Sequence, residues 1–170
     1  MPAYNTKKYL RKCLDSLVNQ TLKDIEICCI NYGSKNNSHI ILNKYAKKDS
    51  RIKIFNKFNG GLSSARNMGT ENARDHYITF LDLDDYVENN VYELALSRFV
   101  NDKVNLAHFS TNLVMEANDC KRYNQDYFQH KFLRLIKFTS YVINNLDIFD
   151  WDKIYKFSII NNFGISPSIR

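Results

Sequence analysis

The stretch from residue 77 to residue 90, YITFLDLDDYVENN, decides the fold of this chain. Its apolar run YITFL predicts a buried strand, and that strand ends in three carboxylates, Asp82, Asp84 and Asp85. Like charges this close repel one another unless a positive group joins them. Since residues two apart in an extended chain point the same way, Asp82 and Asp84 can converge on one hard divalent cation. Alternatively, Asp84 or Asp85 merely caps the next helix.

Apolar strands and amphipathic helices alternate on both sides of this stretch. Strands are predicted at IEICCI (25–30) and IKIF (52–55), and helices at 6–20, 40–48, 62–75 and 91–99. Asn5 is the predicted cap of the first helix, and Asn37 or Ser38 that of the second. Strands separated by helices at this spacing indicate βαβ units, and therefore an α/β domain with a mostly parallel sheet flanked by helices.

The alternation fades after about residue 103. Two further strands are predicted at 104–110 and 112–117, followed by short helices that end at Gly164. We therefore divide the chain into residues 1–118, a ligand-binding α/β domain, and residues 119–170, a partial helical region.

Composition narrows the class of protein. The chain has 170 residues and a net charge of +6, and residues 1–57 hold 12 basic side chains against 4 acidic ones. Such a face suits anionic lipid, nucleic acid or a phosphorylated substrate, although lysine-rich helix surfaces are often simply solvated. No apolar run is long enough for a membrane span, the first residues are too polar for a secretory signal, and the four cysteines lack metal-site spacing. We expect a cytoplasmic protein with reduced thiols.

The segment FNGGLSSARNMG (58–69) is a second candidate site. Its two glycines let the backbone approach a ligand, and the helix start predicted at Ser63 and Ser64 presents free N–H groups. Arg66 lies one turn further and can pair with phosphate oxygens, so that a diphosphate would fit here. An ordinary capped loop with an arginine in a surface ion pair remains the alternative.

The turn INYGSKNNS (30–38) is a third candidate. Asn31 can hydrogen-bond to a base or ribose, and Tyr32 can stack on a ring. A turn this rich in Asn and Gly nevertheless needs no ligand to explain it.

Together with PAYN (2–5) and WDKIYK (151–156), these segments resemble the family 2 glycosyltransferases with the GT-A fold, especially bacterial members that build surface polysaccharides. The resemblance runs through PAYNTKKYLRKCLDSLVNQTLKDIEI, NGGLSSARNMG, YITFLDLDDYV and WDKIYKFSIINNFGI, nearly the whole chain. It implies transfer of a sugar from a nucleotide diphosphate-sugar to an acceptor hydroxyl. The resemblance further implies that this transfer depends on Mg²⁺ or Mn²⁺ and inverts the configuration at the anomeric carbon. A UDP-sugar is the implied donor and a glycan or lipid-linked molecule the acceptor, with no nucleic acid and with possible peripheral contact at the inner membrane face.

The resemblance also assigns roles to residues. Asp84 would be the main metal ligand, Asp82 would lie by the ribose and the metal, and Arg66 would lie near the nucleotide. The implied nucleotide-sugar site comprises Pro2, Tyr4, Asn31, Tyr32, Asn59, Gly60, Gly61, Arg66 and Asp82.

Three features depart from the family pattern. Met1 directly precedes Pro2, so that the usual first strand is missing from the sequence. Asn31 and Tyr32 stand where relatives commonly have two Asp. No carboxylate follows Asp152, which leaves Asp150 and Asp152 as weak candidates for the general base that an inverting transfer needs. Taken with the resemblance, these departures predict a glycosyltransferase sequence shortened at both ends.

Two alternatives stay open. The chain can be an inactive remnant or a binding module that uses its basic N-terminal face. FLDLDDYV also has the form of a haloacid dehalogenase-type phosphatase motif, with Asp82 as nucleophile and Asp84 as acid/base, although Tyr86 stands where that family needs Thr or Val.

Overall fold

The computed structural model describes residues 1–102, 106–108, 134–136, 153–156 and 158. Its elements are β1 (Pro2–Ala3), α1 (Leu10–Val18), β2 (Ile27–Tyr32), α2 (Ser38–Ala46), β3 (Ile52–Lys57), α3 (Gly61–Asn72), β4 (Tyr77–Thr79), α4 (Val91–Asp102), β5 (Leu106–His108), β6 (Arg134–Ile136) and β7 (Lys153–Lys156). The predicted alternation of strands and helices is confirmed through α4.

The first sheet has the order β1-β2-β3, and all its strands are parallel. The register between β2 and β3 runs from Ile27 opposite Ile52 to Tyr32 opposite Lys57. Helices α1, α2 and α3 follow the three strands in turn, as right-handed βαβ connections require. Because β1, β2 and β3 are parallel, their carboxyl ends meet at one edge of the sheet, where ligands of open α/β sheets bind.

Helix α1 shows why the sequence folds this way. Leu10, Cys13, Leu14, Leu17 and Val18 recur at three- and four-residue spacing, which predicts one apolar face. The first four are buried and Val18 is partly buried. The predicted cap at Asn5 is wrong: the helix begins four residues later, at Leu10 after Tyr9. Asn5 instead has φ of 52°, a left-handed conformation that Asn tolerates, and its Oδ1 accepts a hydrogen bond from the Lys35 N–H at 3.0 Å.

A short strand occupies the position for which the sequence predicted a missing strand. Pro2 and Ala3 pair with Ile30 and Asn31 of β2. Met1 extends this ladder, since its terminal amine donates to the Cys28 carbonyl at 3.1 Å and its carbonyl accepts from the Ile30 N–H at 2.9 Å. This part of the β2 edge therefore has backbone partners.

The second sheet has the order β4-β7-β5-β6, and its strand pairs are antiparallel. The strand predicted at 77–81 exists as β4, but it pairs with β7 rather than joining the parallel sheet. Strand β5 confirms the strand predicted at 104–110. Helices were predicted in the C-terminal region, yet its described segments β6 and β7 are strands. Strand β7 pairs with β4 and β5 on its two sides, and its residues Ile154 and Tyr155 are buried there. The boundary at residues 118 and 119 remains a prediction.

An apolar cavity of about 330 Å³ separates the two sheets' facing edges. Ile27 and Cys28 of β2 line one side, and residues 77–81, including β4, line the other. Helix α3 contributes Gly69, the residue after its end contributes Ala73, and α4 contributes Tyr92, Leu96 and Phe99. Within the residues described, no helix combines the length and apolarity of a membrane span.

Candidate functional site

The candidate site lies at the carboxyl edge of the parallel sheet. The loops after β1, β2 and β3 meet there, because Ala3 lies opposite Asn31 and Asn31 lies opposite Asn56. The Asn5 N–H donates to the Ser34 hydroxyl at 3.3 Å, which joins the first two loops. Predicted site residues that are far apart in sequence therefore share one edge.

An ion pair between Arg66 and Asp82 forms the centre of the site. The Arg66 Nη2 atom lies 3.2 Å from both Oδ1 and Oδ2 of Asp82. Arg66 is on the inward face of α3 and its side chain is only 3% exposed, whereas that of Asp82 is 27% exposed. The structure thus brings together the arginine and the aspartate that the sequence singled out from separate motifs, although their roles toward a ligand remain predictions.

Two tyrosines form an aromatic wall beside this pair. The rings of Tyr4 and Tyr32 are stacked, with centroids 5.2 Å apart and planes inclined at 24°. Burial raises the pKa of Tyr32, and the nearby charge of Asp82 raises it further while Arg66 acts in the opposite direction. Tyr32 therefore stays protonated at neutral pH, and its ring lies close enough to the ion pair to sense both charges.

The side chain of Asn31 is held by local contacts. Its Nδ2 donates to the Asn56 Oδ1 at 2.8 Å, and its Oδ1 accepts from the Ser34 N–H at 3.3 Å. This arrangement agrees with the alternative that the turn needs no ligand, so that a direct contact of Asn31 with a base or ribose stays a prediction.

The turn between β3 and α3 is built around glycine. Helix α3 begins at Gly61, two residues before the predicted start at Ser63. Gly61 has φ of 84°, and its N–H donates to the Asn59 Oδ1 at 3.0 Å. A Cβ on Gly60 would lie 3.0 Å from the Ser64 Oγ and 3.3 Å from the Ser64 Cβ, so that a side chain here would have to displace Ser64 by a few tenths of an ångström.

Lys57 is a site residue that the sequence reasoning missed. It is the last residue of β3, and its Nζ donates to the Ser64 carbonyl at 3.0 Å and to the Ser64 hydroxyl. Its amine therefore lies over the first turn of α3, where a positive charge complements the predicted diphosphate position. No pattern in the sequence distinguishes Lys57 from the other lysines of residues 1–57.

The acidic segment folds as a turn, in which the Asp85 N–H donates to the Asp82 carbonyl at 3.2 Å. The extended conformation expected at Asp82 and Asp84 is therefore wrong, because the chain turns here. Leu83 is buried, and the side chain of Asp84 is exposed. Burial raises the pKa of Asp85 to about 6, and the charges of Asp84 and Asp82 contribute to the rise. The alternative that these residues cap the next helix is wrong, because α4 begins only at Val91.

The acidic turn is also joined to α1. The Cys13 thiol donates to the Asp82 carbonyl at 3.7 Å, and burial raises the pKa of Cys13 to about 12. Among the described residues, Cys13, Cys28 and Cys29 form no disulfide, and reduced thiols remain an expectation. In the described residues, no group of three or more His, Cys, Asp and Glu side chains is arranged to hold a metal ion.

Two predicted residues cannot be placed. Asp150 and Asp152, the candidate general bases, lie outside the described residues, as does Trp151 between them. Pro2, Tyr4, Asn31, Tyr32, Asn59, Gly60 and Gly61 all lie on the strands and loops of the carboxyl edge.

Comparison with known proteins links this site to a family. The model of glycosyl transferase family 2 matches residues 1–164. The chain is 35% identical over 174 residues to the putative glycosyltransferase EpsH of Bacillus subtilis, an alignment that covers 98% of this chain and 48% of EpsH. It is 41% identical over 112 residues to a chondroitin synthase of Pasteurella multocida, which covers 66% of this chain and 12% of that protein.

Solved structures show the same fold. Staphylococcus aureus TarS 1–349 in complex with UDP-GlcNAc superposes with a TM-score of 0.77 at 22% identity, over 97% of this chain and 46% of TarS. The mannosyltransferase PcManGT of Pyrobaculum calidifontis, solved with GDP-Man and Mn²⁺, gives a TM-score of 0.67 at 13% identity, over 96% of this chain and 45% of that one. The chain spans about half or less of the length of these relatives.

Proposed function

The chain belongs to glycosyl transferase family 2, and from this premise we propose that it transfers a sugar from a nucleotide diphosphate-sugar to an acceptor hydroxyl in cell-surface polysaccharide or lipooligosaccharide synthesis. The observation that carries the proposal is the contact between buried Arg66 and Asp82 at the carboxyl edge of the parallel sheet. The guanidinium group of Arg66, the carboxylates of the acidic turn and the stacked tyrosine rings lie together there. These groups suit the phosphates, a bound cation and the base of a nucleotide diphosphate. The family match leaves nothing in favour of the phosphatase alternative.

Each part of the site suits one part of the donor. The stacked rings of Tyr4 and Tyr32 offer a flat apolar surface for a nucleobase. We propose that this base is uracil, as in a UDP-sugar. Gly60 and Gly61 bring the start of α3 close to a diphosphate, and Lys57 adds positive charge there. Arg66 can then pair with phosphate oxygens through its planar guanidinium group.

The donor atoms in the acidic turn fit a divalent cation. Asp84 is exposed and Asp82 partly so, and carboxylate oxygens are the ligands that Mg²⁺ and Mn²⁺ prefer. We propose Asp84 as the main ligand and Asp82 as the second, with substrate phosphates completing the set. A cation bound there supplies charge that stabilises the departing diphosphate.

The acceptor side completes the proposal. Transfer with inversion needs a base for the acceptor hydroxyl, and Asp150 and Asp152 are the candidates along this sequence. Helix α1 and the residues before it carry exposed basic side chains, namely Lys7, Lys8, Arg11 and Lys12. Such side chains suit an anionic membrane surface, and we propose that the protein works at the cytoplasmic face of the membrane. The acceptor is then a glycan or a lipid-linked molecule.

Thermal unfolding of the full chain tests the proposal. UDP with Mn²⁺ should raise the melting temperature by about 5 to 10 °C at a hundredfold excess over the dissociation constant. Asp84→Asn should abolish this rise with little change in intrinsic stability, since Asp84 is exposed. Asp75→Asn is the matched control, because Asp75 is an exposed carboxylate before the opposite end of β4.

The outcomes separate the alternatives. If wild-type protein that is well folded shows no rise with UDP, GDP or their sugars, the proposal is wrong and a remnant or a binding module is favoured. If Asp75→Asn abolishes the rise as well, the acidic turn has no special role.

A further inference from the structure

Helix α1 contacts the chain on both sides of the acidic turn (residues 82–85). The Cys13 thiol donates to the Asp82 carbonyl at 3.7 Å, where the turn begins. The Val87 N–H, two residues beyond the turn, donates to the Ser16 hydroxyl at 3.3 Å. Cys13 and Ser16 are three residues apart in α1 and therefore lie on one face of the helix. That face holds both ends of the segment that carries the three carboxylates.

Gln20 continues these contacts one turn further along the chain. It is fully buried, and its Nε2 donates to the Glu88 carbonyl at 2.7 Å and to the Ser16 carbonyl at 3.0 Å. The Ser16 hydroxyl donates to the Cys13 carbonyl at 2.7 Å, which orients its oxygen to accept from the Val87 N–H. Cys13, Ser16 and Gln20, which we call the α1 row, thus form one connected set of contacts.

The α1 row contacts the backbone of the acidic segment. It engages the Asp82 carbonyl, the Val87 N–H and the Glu88 carbonyl, and these contacts use none of the carboxylate oxygens. Three carboxylates stand within four residues here, and their mutual repulsion opposes a compact turn. Burial of Leu83 anchors the middle of the turn, but the direction of the side chains around it depends on the backbone path that the α1 row holds.

We propose that Ser16, supported by Gln20, is a positioning residue for the cation. It holds the backbone from which Asp82 and Asp84 project, so that their carboxylates are presented to the ion in one arrangement. Groups that orient the ligands of a metal contribute to its affinity without touching it. This inference rests on the proposed function and deepens it, since it assigns a role to α1 residues that lie behind the site.

Ser16→Ala tests the role directly. It removes the acceptor of the Val87 N–H and keeps every proposed ligand of the nucleotide and the cation. The dissociation constant of UDP in excess Mn²⁺, measured by calorimetry, should rise about three- to tenfold, which corresponds to one hydrogen bond. The dissociation constant of UDP in EDTA, measured by broadening of the UDP resonances in NMR spectra, should not change. A merely structural role would lower the melting temperature and leave both constants unaltered.

Two further serine variants are the controls. Ser16→Thr keeps the hydroxyl and should restore the wild-type dissociation constant in Mn²⁺. Ser97→Ala removes a comparable hydroxyl from α4, where Ser97 donates to the Leu94 carbonyl three residues earlier at 2.7 Å, as Ser16 does to Cys13. It should leave both dissociation constants unchanged, because Ser97 is exposed and its bond stays within α4.

Gln20→Met provides a second variant of the α1 row. Methionine fills a similar volume but lacks the donors to Glu88 and Ser16. The dissociation constant of UDP in Mn²⁺ should rise, although less than in Ser16→Ala, because Glu88 is further along the chain from the carboxylates. Circular dichroism melting establishes that each variant is folded, and if Ser16→Ala does not fold, Gln20→Met decides.

The outcomes distinguish this inference from the proposed function. If wild type binds UDP with Mn²⁺ and the folded Ser16→Ala protein binds it equally well, the positioning role is overturned and the function stands. An equal rise of the dissociation constant in Mn²⁺ and in EDTA also overturns the positioning role, because the nucleotide site as a whole is then disturbed. If wild type binds no nucleotide under any condition, both proposals are overturned.

Discussion

The two ends of strand β2 differ in what surrounds them. At the carboxyl end, Asn31 and Tyr32 take part in hydrogen bonds and ring stacking that join three loops. At the amino end, Ile27 and Cys28 line an apolar cavity of about 330 Å³ between the two sheets. One strand thus connects a region joined by polar side-chain contacts to a region lined mainly by apolar side chains.

This difference separates chemistry from stability. Residues at the carboxyl edge meet because parallel strands deliver their following loops to one place, and polar side chains there can bind a ligand. The amino half of β2 and the nearby strand β4 contribute apolar surface, whose stabilisation depends on the area removed from water. Substitutions at the two ends should therefore change different measurements.

The largest effect is expected at Ile30, where the two regions meet. Ile30 is fully buried, and its Cγ1 lies 3.6 Å from the Cβ position of Gly69 on α3. Ile30→Ala should lower the free energy of unfolding by about 2 to 5 kcal/mol, measured by urea denaturation, because the lost side chain leaves a void in the core. Ile30→Val, the matched control, should cost about 0.5 to 1.5 kcal/mol. Equal losses for both variants would contradict this view of the packing.

The next effect is at Gly61, on the polar side. Its φ of 84° is a left-handed conformation, and a Cβ there would meet nothing within 4 Å. Gly61→Ala should therefore cost about 1 to 2 kcal/mol through backbone strain alone, again by urea denaturation. It should also weaken nucleotide binding, since the turn that starts α3 changes. A loss of stability below experimental error would show that the turn relaxes freely.

Gly69 should respond in the opposite direction. It lies inside α3 and borders the cavity, and an added Cβ would lie at ordinary contact distance from Ile30. Gly69→Ala should raise the free energy of unfolding by about 0.5 to 1 kcal/mol, because alanine favours the helix and covers apolar surface. Nucleotide binding should not change. A destabilised Gly69→Ala protein would mean that the helix and β2 cannot accommodate a methyl group.

The smallest effect concerns acid stability at the amino edge. Arg51 donates from Nε and Nη2 to Asp49, and from Nη2 also to the Val18 carbonyl at 2.8 Å. The hydrogen bonds from Arg51 hold the pKa of Asp49 below its ordinary value. Because the folded-state pKa is lowered, the contribution to stability is present above about pH 4 and is lost as the pH falls through the folded-state value.

Asp49→Asn should accordingly lower the free energy of unfolding by about 0.2 to 1 kcal/mol at pH 7, and this difference from wild type should shrink as the pH falls below about 4. Urea denaturation at several pH values measures it. Exposed Asp75→Asn serves as the control and should match wild type throughout. A difference that does not shrink at any pH below about 4 would show that the contribution of Asp49 is not electrostatic.

Much of the first hundred residues was predictable. The apolar stripe Leu10, Cys13, Leu14 and Leu17 predicted α1 and its buried face, because helix periodicity is local. Element ends were less accurate: Asn5 does not cap α1, and α3 starts at Gly61 rather than at Ser63. The position of a helix cap depends on the path of the chain after the preceding strand, and local residue propensities do not encode that path.

The site was predicted by residue type rather than by contact. The sequence singled out Arg66 and Asp82 in separate motifs, yet it expected each to meet a ligand and did not pair them. Lys57 was missed because a lysine in a basic N-terminal half carries no distinctive pattern.

By itself, the sequence determined the alternation of strands and helices, the buried face of α1 and the family, because these depend on spacing along the chain. Only the tertiary structure decided that β4 pairs with β7, that a cavity lies beside the amino half of β2, and that Arg66 holds both oxygens of Asp82. Those features join residues 16 or more positions apart, and such contacts are selected by packing and charge across the whole fold rather than by local preference.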